Sequence, residues 1–322
     1  MKLDRAISGS HRNGDLVVTE YDVDGVRTIN QALADAFRSS KRFNPHATPP
    51  TLVSTGFTVH DLKSRSCHLV LVHAADHRPR HAPTIGRVVK FSKPEFAPHR
   101  ASELQLGTPS YYRELEASNP GIGDRYDGTI TKDASEWAKN TLPLGASAKA
   151  KITFTASEAN WVFCASHYRH LSELRSLQDH FSQSYDYRAA TQVLDPEAFA
   201  AWLGIDFALT FDKESIGKLD AFGIIGYAAS RYETEFWEGA GNIDTFVHVY
   251  HGPVVYADRS GELRTQADWI DPHGSPKALF TKKTSFEPQR EYRFAVSTPL
   301  RPTEHQLRME ISTELRRLTS PL

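Results

Sequence analysis

Apolar runs rich in β-branched and aromatic residues recur along this chain without a helical segment between each pair. TLVSTGFTV, HLVLVHA, GRVVKF, ITFTA, WVFCAS, FALTF, TFVHVYHGPVVYAD and EYRFAVS follow an N-terminal LVVTEYDV, and each fits the pleated, half-buried surface of a strand. Helical spacing predicts helices around Ile29–Phe37 and at about 132–140, 168–178, 195–203 and 217–238. In DPEAFAAWL, Asp195 is placed to cap the helix and Pro196 to occupy its first position. Strands and helices do not alternate strictly, which disfavours a doubly wound parallel sheet. The pattern predicts an α+β fold, a mixed central β-sheet flanked by helices. Gly and Pro cluster at 44–50, 119–128 and 272–276, marking loops. The first cluster divides an N-terminal α/β extension, 1–50, from a main α+β catalytic domain, 51–322.

Charge excludes some classes of function. Lys+Arg 38 against Asp+Glu 39 gives a net charge of -1, so no global field draws the chain onto nucleic acid or an anionic membrane, and any basic surface is local. There is no run of about eighteen apolar residues and no apolar leader in MKLDRAISGSHRNGD, which predicts a cytoplasmic protein that does not enter a membrane. Cys67 and Cys164 sit in strand-like runs and read as core thiols. The fifteen histidines form no HExxH or CxxC frame, so no metal site is expected. GxGxxG, Walker, GxSxG and kinase motifs are absent as well.

The stretch FEPQREYRF, 286–294, carries the most chemistry. With a side-chain period of two, Gln289, Glu291 and Arg293 share one face and Tyr292, Phe294 and Val296 the other. The second set is a core face, which leaves the first toward a cleft or solvent. Arg293 beside Glu291 would hold the carboxylate ionised. An ionised carboxylate next to an amide suits a reaction that develops positive charge on a sugar. On the bland reading, QREYRF is an edge strand with a solvated Glu–Arg pair.

From about 85 to 297 the order of short motifs resembles the bacterial domain-of-unknown-function family 2971. The motifs are GRVVKF, LQLGTPSYYRELEASNPGIGDRYDG, WVFCAS, VVYADR, and Lys282 or Lys283 ahead of Gln289-Arg290-Glu291-Tyr292-Arg293. The first acidic position of the final motif is a Gln here. More distantly, the chain is similar to ADP-ribosyltransferases of the Arg-Ser-Glu type. The matching residues are Arg87 or Lys90, Ser166, Phe286 on the loop, Gln289 and Glu291; the family's full Ser-Thr-Ser is absent. The resemblance implies a split sheet that binds NAD as substrate. Arg87 or Lys90 would meet a phosphate or ribose, Ser166 would brace the pocket, Glu291 would hold the ribose hydroxyl, and Gln289 would orient the acceptor. Tyr111 and Tyr112 would stack on a ring. It further implies a bacterial toxin or phage-defence effector, with an RNA or protein acceptor and an antitoxin or sensor partner.

Two other classes stand beside this one. Asp124 and Asp127 in NPGIGDRYDG, with Glu114 or Glu116, would serve a metal-dependent nuclease, although Asp and Gly populate turns for backbone reasons. Tyr227, Tyr232, Phe236 and Trp237, with Arg231 and the Lys282–Lys283 pair, would serve a non-catalytic nucleic-acid-binding module of a defence system.

Overall fold

The computed structural model describes residues 10–11, 16–21, 55–61, 66–74, 86–118, 124, 127–133, 135, 151–155, 160–210, 245–256, 260–262, 276–297 and 305–322. All of the apolar runs but FALTF contribute strands. In chain order they are β1 (Ser10–His11), β2 (Leu16–Tyr21), β3 (Thr55–Asp61), β4 (Ser66–Ala74), β5 (Arg87–Ser92) and β6 (Glu103–Gly107). Next come β7 (Thr129–Asp133), β8 (Lys151–Thr155), β9 (Asn160–Tyr168), β10 (Ala189–Val193), β11 (Thr245–Pro253) and β12 (Val255–Tyr256). The last are β13 (Ser260–Glu262), β14 (Thr281–Lys282), β15 (Glu291–Ser297), β16 (Gln306–Glu310) and β17 (Thr319–Pro321). Among the described residues the helices are α1 (Pro109–Ser118), α2 (Leu171–Tyr185), α3 (Pro196–Ala208), α4 (Pro276–Leu279) and α5 (Thr313–Arg317).

Among the described residues, twelve strands join in one sheet, whose main path runs β1-β2-β3-β4-β11-β15-β9-β5-β10-β17, with β6 and β16 off that path. β4 and β11 run parallel while its other pairs are antiparallel, so the fold is α+β around a large, mostly antiparallel sheet. β2 pairs with β3, so the first strands of the chain continue the same sheet.

α3 starts as its sequence predicts. Asp195 accepts the N–H groups of Glu197 and Ala198, each at 3.0 Å, and Pro196 fills a position where no N–H is needed. Every residue from Ala198 to Ala208 is buried, so α3 is a core helix, apolar on all sides but for Asp206. One side packs on β4 and β11, and Phe199 meets Phe163 and Phe294, ring centroids 5.7 and 4.9 Å apart. On another side Asp206 accepts the N–H and Oγ of Ser312 at 2.7 and 2.9 Å, which ties α3 to the start of α5.

Several expectations need correction. FALTF is not a strand, since Phe207 and Ala208 finish α3. The helix expected at 168–178 starts later and runs longer, because Tyr168 still belongs to β9. Lys132 and Asp133, placed at the start of a helix, end β7. β15 lies between β11 and β9, so QREYRF does not form an edge strand. The helices expected around Ile29–Phe37 and 217–238, with Tyr227, Arg231, Tyr232, Phe236 and Trp237, lie outside the described residues. No helix among those described is long and apolar enough to cross a membrane.

Candidate functional site

The sheet forks at β9. Toward one end β9 pairs with β5, through Arg87↔Tyr168, Val88↔His167 and Val89↔Ser166. Toward the other it pairs with β6, through Gly107↔Val162. Phe163, Cys164 and Ala165 fall between the two partners. A buried backbone carbonyl needs a donor, and in the fork Lys90 supplies one: its Nζ donates to the Cys164 carbonyl at 2.8 Å and lies 5.1 Å from the Phe163 ring centroid. A cavity of about 540 Å³ opens there, within the roughly 300–1,000 Å³ typical of small-molecule sites.

Glu291 and Ser166, opposite each other across β15 and β9, line this cavity together with Lys90. Glu291 is only 4% exposed. Its Oε1 accepts from Arg293 Nε at 2.5 Å, and Lys282 Nζ is 2.6 Å from its Oε2. Burial pushes the Glu291 carboxyl up, but Arg293 and Lys282 outweigh it and hold the group well below the usual carboxylate range. A carboxylate has about four acceptor positions, so these two cations leave Glu291 capacity for a ligand hydroxyl. Behind it, Arg293 is fully buried and bonds both oxygens of Asp127, at 2.7 and 2.6 Å, as well as the Leu279 carbonyl. The chain Lys282–Glu291–Arg293–Asp127 alternates in charge and sums to zero.

The loop before Glu291 is fixed from several sides. A 3₁₀ turn over Thr284–Gln289 ends at Arg290 in the left-handed region, φ 44°, a strained place for a side-chain-bearing residue. Ser166 Oγ donates to the Gln289 carbonyl and the His167 N–H to the Arg290 carbonyl, each at 2.8 Å. Arg290 Nη1 pairs with Glu173 at 2.5 Å, and the Glu291 N–H donates to Tyr256 Oη at 2.6 Å. These contacts hold the turn that aims Glu291 into the fork.

The cavity walls are aromatic. Tyr111 and Tyr112, in the first turn of α1, meet edge to face at 5.2 Å. They lie so close over Gly107 that a Cβ there would come within 2.5 Å of the Tyr111 ring and 2.9 Å of the Tyr112 ring. Another part of the wall is a cluster in which Phe181 lies nearly parallel to Phe91 and to Tyr187, at 4.8 and 6.2 Å, with Tyr185 tilted beside it. Burial, reinforced by Glu291, pushes the Cys164 thiol up to about 12. It faces the cavity as an apolar group and not as a thiolate.

The residues expected from sequence divide clearly. Glu291, Gln289, Lys90, Ser166, Tyr111 and Tyr112 all line the cavity. Gln289 nevertheless belongs to the 3₁₀ turn, so it does not share a strand face with Glu291 and Arg293 as expected. Of the two basic candidates, Lys90 lines the cavity, whereas Arg87 is exposed at the start of β5 and lines no part of it. Phe286 packs over the Lys282 ammonium, 5.0 Å from its ring centroid, outside the cavity wall. Arg293 was expected toward a cleft or solvent. It lies behind Glu291, sealed from the cavity, and positions the carboxylate. Lys282, 3% exposed and paired to Glu291, is no surface group for nucleic acid. Asp127 accepts from Arg293 with both oxygens, which leaves little of it for a metal.

Sequence reasoning passed over Ser92, Lys93, Phe96, Gln105 and Arg308, which also line the cavity. Ser92 carried a usable signal, since it stands two residues after Lys90 and therefore leaves β5 on the same face.

Comparison with protein-family models, curated proteins and solved structures finds no match for this chain.

Proposed function

We propose that the chain is an NAD-consuming enzyme of the ADP-ribosyltransferase type, with the fork as an NAD-binding split sheet and Glu291 as the group that acts on the sugar. The observation that carries this reading is the convergence of Lys90, Ser166 and Glu291 in one cavity. They come from the adjacent strands β5, β9 and β15, far apart along the chain, in the basic-serine-acidic order of the resembled transferases.

The reaction breaks the bond between the ribose C1′ and the nicotinamide nitrogen, and the bonding pair leaves on nicotinamide. Positive charge develops on the ribose. Glu291, held ionised by Arg293 and Lys282, is a weak base at neutral pH, so its part is electrostatic: it accepts a ribose hydroxyl and stabilises the cationic sugar. Ser166 keeps the Gln289–Arg290 turn in place and through it the carboxylate. Tyr111 and Tyr112 offer faces and edges for a planar ring. A nucleophile then forms a bond to C1′ and releases its proton.

The test is purified protein with NAD labelled in the adenylate half, following released nicotinamide and the fate of the label. Nicotinamide released well above the buffer blank supports the reading, and no release at millimolar NAD overturns it.

A further inference from the structure

One part of the cavity is not accounted for by a ribose and its carboxylate. Its rim carries Phe96, 54% exposed, held outward by a short 3₁₀ turn. That turn is fixed by the Phe96 N–H bond to the Lys93 carbonyl, 3.0 Å, and by the fully buried Ala97. An exposed phenylalanine on a pinned turn is a ready stacking platform. Exposed Lys93 flanks it, and Arg308, also exposed, enters the rim from β16 opposite Gln105 of β6. The Phe91–Phe181–Tyr187 stack lines the same cavity and is less exposed than Phe96. Ser92 also lines the cavity, 6% exposed, and its Oγ has no hydrogen-bond partner. A buried hydroxyl left unbonded is costly, and a ligand atom with hydrogen-bonding capacity would satisfy it.

Stacking faces, phosphate-pairing cations and one buried hydroxyl are what a single strand of nucleic acid uses: aromatic rings take bases, lysine and arginine take phosphates, and a polar side chain reads a base edge. We infer that the Lys93–Phe96–Arg308 rim binds single-stranded nucleic acid and that one splayed base reaches inward to the Phe181 stack and Ser92. Among the rim residues that line the cavity, Lys93 and Arg308 stand against Glu103, while exposed Glu95 on the same turn and Glu310 opposite Glu103 lie outside that lining. The binding half of this inference stands without the transferase reading. The other half rests on that reading and names the acceptor: a ring or exocyclic nitrogen of the splayed base forms the bond to C1′ as nicotinamide leaves with its electron pair, and the base's proton passes to water.

Fluorescence anisotropy with a labelled mixed-sequence 12-mer tests binding in the absence of NAD, once as RNA and once as DNA; a preference between them assigns the role of the 2′-hydroxyl. Phe96→Ala should weaken binding by about tenfold, within the roughly 1–3 kcal/mol of one stacked base. Lys93→Ala with Arg308→Ala should reduce the slope of log affinity against log salt by about 1.4, two single-strand phosphate contacts at roughly 0.7 each. Ser92→Ala should narrow the differences among homopolymers. Absence of binding at low salt, or binding indifferent to Phe96 and to the two cations, overturns the inference. In a second arm, adenylate-labelled NAD is added with the oligonucleotide, and label on the oligonucleotide supports the acceptor assignment. Nicotinamide release with all label on protein or in free ADP-ribose removes it. Oligonucleotide binding that follows the variants with no nicotinamide release upholds the rim and counts against the NAD reading.

Discussion

Arg293 reaches Glu291 through one nitrogen and Asp127 through its other two, so removing any of the three strands a charge in the interior. Asp127→Asn and Arg293→Met should each cost about 3–5 kcal/mol, the usual penalty for breaking a buried pair from one side, measured by urea unfolding. Losses under 1 kcal/mol would show the quartet to be better hydrated than its burial implies. His167 makes a different prediction. Burial first, then Arg290 and Arg169, pull its pKa down to about 4 from the ordinary 6.5. Below pH 6.5 the unfolded chain takes up a proton that the folded one refuses, so stability falls as pH drops from about 6.5 to 4 and then levels. The loss is on the order of 2 kcal/mol after allowance for partial exposure, and it should shrink in His167→Gln in denaturant titrations at pH 7 and pH 4.5. At this scale the sequence was partly readable. A two-residue period placed Glu291 beside Arg293, but nothing local pointed to Asp127 as the partner of Arg293, 166 positions away. Lys282 looked like surface for the same reason, because a basic connector is normally solvated and only the packed turn buries it.

α3 shows why some elements were legible and others not. Asp195 and Pro196 are chemical signals that act within one turn, and they survive folding unchanged. FALTF reads as a strand on composition alone, yet a helix buried all round has no polar face to break an apolar run, so periodicity cannot separate the two. The packing of α3 can be tested at Gly204, where an added Cβ would sit 2.6 Å from methyl carbons of Val249 and Val70. Helix propensity favours Ala over Gly by about 1 kcal/mol, whereas stiff valine side chains on β4 and β11 cannot easily yield. Overpacking should win, and Gly204→Ala should destabilise by about 1–2 kcal/mol. A rise in the melting temperature would mean that α3 can shift away from the sheet.

Across the whole molecule, the candidate site depends on which strands become neighbours. β5, β9 and β15 were each recognisable as strands, but their adjacency and the fork at β9 arise from long-range pairing that no window of sequence reports. The order of motifs in the resembled transferases offered the one sequence-level pointer to that adjacency, and rim residues such as Phe96 and Arg308 had none. The account stands or falls on Glu291. Purified wild-type protein and Glu291→Gln should be compared for nicotinamide release from NAD, with circular dichroism and thermal melting recorded on the same samples. The account predicts a loss of at least a hundredfold, about 2.7 kcal/mol in barrier, in a variant that melts at a lower temperature but is still folded under the assay conditions. Wild-type rates from a folded Glu291→Gln protein would contradict it.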